Sequence, residues 1–262
     1  MKKTLALVLT LALGISLVAC GKEEAPATEE PAAETTEATV EEPAAEATEE
    51  AATEEPANED AAGDVMSYAD FVAADLDTEV VVETYVQAKQ SWWEDKATIY
   101  TQNEDGAFFI YEMACSEDDY AKLTEGTKIK VTGVKSEWSG EVEIVDATFE
   151  IEDGNFVASP VDVTDLLGKD ELIEKQNQLV SFTDLTVKSV AFKNDQPGDD
   201  IYVTFEKDGN ELSACLEYYL NGSDEEFYNL VSGLEEGATV DVEGFLYWYE
   251  GANPHITKVT VK

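Results

Sequence analysis

Leu123-Thr124-Glu125-Gly126-Thr127-Lys128-Ile129-Lys130-Val131-Thr132-Gly133 recurs as Leu234-Glu235-Glu236-Gly237-Ala238-Thr239-Val240-Asp241-Val242-Glu243-Gly244. In both copies a further glycine follows seven residues on, Gly140 and Gly251, and an aromatic, Trp138 or Tyr249, stands two positions before it. Three glycines at one spacing mark an internal repeat. Each copy reads as a turn glycine, then a strand whose core face is Ile129/Val131 or Val240/Val242, then a glycine kink and a hairpin toward a last strand.

Extended backward, the copies show one order of elements. The first has strands near 79–90, 96–102 and 107–113, a short helix over 117–123, and strands near 127–136 and 141–151. The second has strands near 179–192, 201–207 and 211–218, a longer helix from Asp224 to Leu234, and strands near 238–249 and 254–261. Three strands, a helix and two strands resemble the OB-fold, a small closed Greek-key barrel with its helix between the third and fourth strands. The resemblance covers residues 79–152 and 179–262. It implies a mainly β chain of two tandem five-stranded barrels, each with a helix between strands 3 and 4. Its motifs are structural glycines and core positions, so it speaks to fold and not to activity. Before the first copy, Ser67 to Leu76 places apolar residues at helical spacing behind a capping serine. Ile151 to Gln178 reads as a linker with a short helix around Val161–Leu167.

The amino-terminal part is of a different kind. Met1-Lys2-Lys3, an apolar run from Thr4 to Val18, and Leu17-Val18-Ala19-Cys20 give a cationic start, a hydrophobic stretch too short to span a bilayer, and a small residue before a cysteine. This is similar to the lipobox of bacterial lipoproteins. The resemblance implies that residues 1–19 are a signal peptide and that the Cys20 thiol carries a diacylglyceryl group. It also implies palmitate-type acylation and a chain anchored on the extracytoplasmic face of the cell membrane. An ordinary secretory signal is the alternative. Residues 21–64 are almost wholly Glu, Ala, Thr and Pro. Low hydropathy with one sign of charge cannot offset chain entropy, so the sequence predicts a disordered tether. Its ends lie roughly 35–40 Å apart by coil scaling. Prolines at 26, 31, 43 and 56 cut any helix there short. The predicted organisation is 1–19 signal peptide, 20–64 lipidated cysteine and tether, 65–153 first barrel with its amino-terminal helix, and 154–262 linker and second barrel.

The chain carries 58 acidic and 16 basic residues, a net charge of −42, and every basic residue is lysine. Both repeat regions are acidic in their own right: residues 79–153 hold 18 acidic residues against six lysines, and 154–262 hold 21 against seven. Phosphate recognition favours the guanidinium fork and a positive surface, so the charge predicts that nucleic acid is an unlikely partner. A neutral or cationic ligand is expected instead: a cell-wall glycan, a peptide or an envelope protein. Lys128, Lys130 and Lys135 form the one local basic stripe. The alternatives are nucleic-acid binding by the barrels, or a structural spacer or adaptor in an envelope complex.

Nothing in the sequence assembles a catalytic, metal or cofactor motif. No enzyme is expected, and His255, beside Pro254 at a strand entry, reads as an incidental surface histidine. Cys115 and Cys215 are permitted to pair outside the cell, but read better as two separately buried thiols. The acidic runs at Glu117–Asp119, Asp199–Asp200 and Asp224–Glu226 lack the loop grammar of a calcium site. The aromatics lead further. Trp92 and Trp93 fall in the loop between strands 1 and 2 of the first repeat, and Trp138 in that between strands 4 and 5. Tyr247, Trp248 and Tyr249 occupy the loop of the second repeat that corresponds to Trp138. These six are the candidate ligand-binding residues, since flat side chains on such rims stack on bases or sugar rings. The alternative is that Trp92, Trp138 and Trp248 cap their barrels or seal the two together.

Overall fold

The described elements begin with a one-and-a-half-turn helix, α1 (Tyr68–Ala73), capped as expected by Ser67, whose hydroxyl accepts from the Asp70 amide. The computed structural model describes residues 64–262. The expected signal peptide, Cys20 lipid and tether therefore lie outside the described residues, apart from residue 64. After α1 come β1 (Glu79–Lys89), β2 (Lys96–Gln102), β3 (Ala107–Ala114), α2 (Glu117–Tyr120), β4 (Thr127–Trp138) and β5 (Glu141–Asn155). They close into a five-stranded barrel of order β1-β2-β3-β5-β4, in which β3 and β5 run parallel and the other neighbours antiparallel. This closed barrel is compatible with the OB-fold.

Alternation explains its core. Ile129 and Val131 point inward from β4, as expected, onto Val80, Val82, Phe108 and Ile144. Lys128 and Lys130 alternate outward, where Lys128 is ion-paired with Glu83 and Glu152, and Lys130 lies 3.8 Å from Glu150. Lys135 behaves differently from a surface stripe. Its side chain is buried, and its ammonium donates to the carbonyls of Phe71, Val72 and Ala74, closing the carboxyl end of α1.

The second half holds β6 (Val161–Asp162), β7 (Leu179–Phe192), β8 (Ile201–Lys207), β9 (Asn210–Leu216), α3 (Tyr218–Asn221), α4 (Glu225–Ser232), β10 (Thr239–Phe245) and β11 (His255–Val261). These strands form a six-stranded sheet of order β10-β11-β9-β8-β7-β6, and β10 also pairs with β7. The linker differs from its expected helix: it supplies the short strand β6, parallel to β7, and 3-10 turns at 164–166 and 170–175. The helix expected from Asp224 is α4, with the Asp224 carboxylate capping the Phe227 amide, and a further turn, α3, precedes it. Cys115 and Cys215 are both free and buried.

The two halves meet over a third apolar cluster. Tyr100, Phe109 and Phe245 are buried together, with the Tyr100 ring 4.7 Å from Phe245 and 5.0 Å from Phe109. His255 is not a surface residue. It is buried in this junction, its Nδ1 2.5 Å from the Tyr100 hydroxyl and its ring stacked on Tyr247 at 4.3 Å. His255 opens β11, as expected, but the Tyr100 ring that covers it comes from the first barrel.

Candidate functional site

A cleft of about 300 Å³ opens beside this junction, lined by Gln90, Ser91, Trp93, Lys96, Thr98, Tyr111, Glu112 and Tyr219. Three of its walls are aromatic and solvent-facing: Trp93 is 68% exposed, Tyr219 58% and Tyr111 43%. Large rings left in water on one concave surface are available for a ligand rather than for the core.

Local geometry sets each wall. Trp93 and Lys96 bridge across a two-residue turn in which Glu94 and Asp95 both have positive φ, 46° and 59°. That turn matches the twist of a hairpin but strains residues other than glycine. It projects the Trp93 ring outward, while the Asp95 carbonyl receives the Cys115 amide. Glu112, at φ 46°, interrupts β3, with its amide donating to Thr98 Oγ1 and its carboxylate 2.5 Å from Lys96. Strained residues thus gather around the cleft, and the Lys96 hydrogen bond holds the Glu112 carboxyl below the usual range. The third wall comes from the other half. Tyr219 sits on α3, whose first amides are bound by Glu217: Tyr219 and Leu220 donate to its carboxylate at 3.2 and 2.6 Å. The Ser91 amide and hydroxyl both donate to the Tyr219 carbonyl, fastening this wall to the first barrel. Burial pushes Glu217 up to about 7.

The six aromatic candidates divide. Trp93 lines the cleft. Trp92 is turned away, its indole donating to the Cys115 carbonyl at 2.9 Å. Trp138 and Tyr249 lean on each other at 5.1 Å, and Trp248 packs against both the second core and Gly140. Tyr247 stacks on His255. The loops carrying Trp138 and Trp248–Tyr249 are joined by the Glu250 amide donating to the Ser139 carbonyl, so these residues hold the halves together. Tyr111 and Tyr219 were not among the expected residues. Tyr111 had a sequence signal, because Phe108-Phe109-Ile110-Tyr111 is apolar on both strand faces and so demands cover on both. Tyr219 had none.

No family model and no curated protein matches the chain. Among solved structures it is similar to a murine DNA-binding protein bound to double-stranded DNA, with 12% identity over 70% of this chain and 96% of that one and a TM-score of 0.35. It is also similar to the tetrameric p202 HIN2 domain, at 12% over 72% and 96% with a TM-score of 0.32. A third is a replication protein A heterotrimer bound to single-stranded DNA, at 13% over 70% and 49% with a TM-score of 0.30. Two of these are DNA complexes, and the expectation that nucleic acid is an unlikely partner, which rested on net charge alone, is not kept. Net charge is a sum over the chain, whereas stacking on aromatic rings is local and needs no positive charge. The charge argument therefore does not remove that class. At these scores the likeness does not extend to what this chain binds.

Proposed function

We propose that the chain is a non-enzymatic binding module that takes ring-bearing ligands into the cleft of Trp93, Tyr111 and Tyr219, and that its second sheet is a further barrel of the OB type. The observation that carries this is the convergence of three exposed aromatic rings, from both halves, on one concave surface. Around them Gln90, Ser91 and Thr98 offer uncharged hydrogen-bonding groups, and Lys96 and Glu112 neutralise each other. A neutral sugar ring, with an apolar face to stack and hydroxyls to satisfy, suits that lining, so a glycan is the first reading. Single-stranded nucleic acid is the second, favoured by the half-exposed Lys96 ammonium beside rings on which bases stack equally well.

Tryptophan fluorescence of the protein, titrated with wall polysaccharide and separately with oligonucleotide, distinguishes the two. Saturable binding of glycan, insensitive to salt and weakened about tenfold or more by Trp93→Ala, is expected. Saturation by oligonucleotide alone, with a steep salt slope, moves the assignment to the second reading. Indifference to both, or full binding by Trp93→Ala, removes the cleft as the site.

Cys20 carries the lipid, and its acyl chains hold the module on the extracytoplasmic face of the cell membrane, with residues 21–64 as a tether. Support comes from Lys2-Lys3, the apolar run and Ala19-Cys20. Among the described residues no helix is long and apolar enough to cross a membrane. Mass spectrometry of the mature amino terminus is expected to find a diacylated Cys20, and Cys20→Ser is expected to release the protein from membranes. An unmodified cysteine, or a retained Met1, overturns this.

A further inference from the structure

Glu141, the first residue of β5, is wholly buried at the junction. Its Oε2 is well served: the Trp248 amide donates to it at 2.7 Å and Gln176 Nε2 at 3.3 Å. Its Oε1 has no partner. Beside it Asn177 is buried as well; its Nδ2 donates to the Val142 carbonyl at 3.0 Å, but its Oδ1 is likewise without a partner. Two buried acceptors on neighbouring side chains without a donor cost several times what a hydrogen bond returns. A single proton removes both faults at once.

We propose that the junction is fastened by Glu141 as a neutral carboxylic acid, its Oε1–H donating to Asn177 Oδ1, and that loss of this proton loosens the docking of the two halves. Every bond of the set crosses the junction or braces it. Trp248 precedes β11, Gln176 and Asn177 precede β7, and Gln176 reaches on to the Gly140 carbonyl. The Asn177 amide in turn donates to the Leu246 carbonyl. The groups facing Glu141 are Glu143 on its own strand, Tyr247 from the loop after β10, and Tyr100 of β2. None is a cation, and Glu143 is itself buried and pushed up. A carboxylate formed here has no countercharge, which is why burial pushes Glu141 up to about 8.

The sign follows from the free carboxyl value of 4.5. A raised acid contributes stability that is complete below about 4.5 and is lost as pH rises through about 8, at close to tenfold in the unfolding constant per unit. Glu141→Gln keeps the shape, gives Asn177 a permanent N–H donor and cannot ionise. Denaturant unfolding of the full chain and of E141Q, from about pH 5 to pH 9, reads the difference. The two are expected to be alike near pH 5, with E141Q the more stable by tenfold or more in the unfolding constant near pH 8. Subtraction of the two profiles removes the contribution of Glu217. A parallel profile, or an E141Q deficit that is the same at every pH, overturns the proposal. Carbon-13 titration of the Glu141 carboxyl in the unmutated protein is independent of how the variant folds: a midpoint well above the ordinary carboxylate range supports the proposal, and an ordinary one overturns it. Exchange of the Trp248 amide, corrected for base catalysis, is expected to accelerate across the same range.

Discussion

Gly244→Ala is expected to cost about 3 kcal/mol of folding stability, and Gly237→Ala, at the preceding glycine of the same repeat, only about 1 kcal/mol. The two glycines serve different ends. Gly237 has φ 87° with nothing near its absent Cβ, so alanine there meets only the intrinsic penalty of the left-handed region. Gly244 has an ordinary φ but no room: a Cβ would lie 2.4 Å from the His255 carbonyl oxygen and 3.1 Å from the Ile256 Cα. Those atoms belong to the backbone of β11, and the β10–β11 register already shifts between Glu243 and Gly244. A backbone cannot swing aside as a side-chain tip can, so the strands must part where His255 enters the junction. Gly133 shows the same arrangement in the first barrel, with a Cβ 2.8 Å from the Val145 carbonyl and a register shift between Thr132 and Val134. Denaturant unfolding of the three alanine variants measures this; equal losses at Gly244 and Gly237 would show that close strand approach does not set the glycine.

That comparison also explains what the sequence made legible. The glycine repeat revealed the strand order because each glycine answers a backbone demand, a turn or a bulge, that is local in sequence. Ile129, Val131, Val240 and Val242 were readable as core for the same reason, since alternation is local too. The junction was not. Tyr100 and Phe109 face out of their own barrel and are buried only because Phe245 arrives from more than a hundred residues away. The aromatic rims were found, but period and spacing do not say which rim faces solvent. Trp138 and Trp248–Tyr249 turned toward each other, and Trp93 alone of the six entered the cleft. Its other aromatic walls, Tyr111 and Tyr219, are brought to it by the docking, and no single repeat contains the site. The charge pattern does not locate the cleft, because net charge sums over the whole surface while the cleft is set by a few rings and one Lys96–Glu112 pair.

Tyr100→Ala is expected to be the most damaging change at that junction, at about 3–5 kcal/mol, because the ring it removes is buried between Phe109 and Phe245 and the flanking strands cannot collapse into the space. Tyr100→Phe keeps the packing but leaves His255 Nδ1 without its hydrogen-bond partner, and about 1–3 kcal/mol is expected from that alone. The pH dependence separates packing from hydrogen bonding. Burial lowers His255 from 6.5 to about 3, so its contribution is complete above about 6.5 and is lost as pH falls through about 3. Glu141 works in the opposite sense, losing its contribution as pH rises from about 4.5 through 8. Between about 4.5 and 6.5 the folded chain therefore holds one proton more at Glu141 and one fewer at His255 than the unfolded chain, and the two slopes cancel. Glu217, raised from 4.5 to about 7, adds a falling slope across this interval and up to about 7; of the three groups, His255 alone acts below about 4.5 and Glu141 alone between about 7 and 8. Tyr100→Ala lets water reach His255, so its deficit against the unmutated protein is expected to shrink as the solution is acidified below about pH 6. Tyr100→Phe, which keeps the imidazole dry, is expected to hold its deficit. Unfolding free energies of both variants from about pH 4 to pH 7 test the distinction. A Tyr100→Ala deficit that does not change with pH would mean that the ring packs the junction without keeping the histidine neutral.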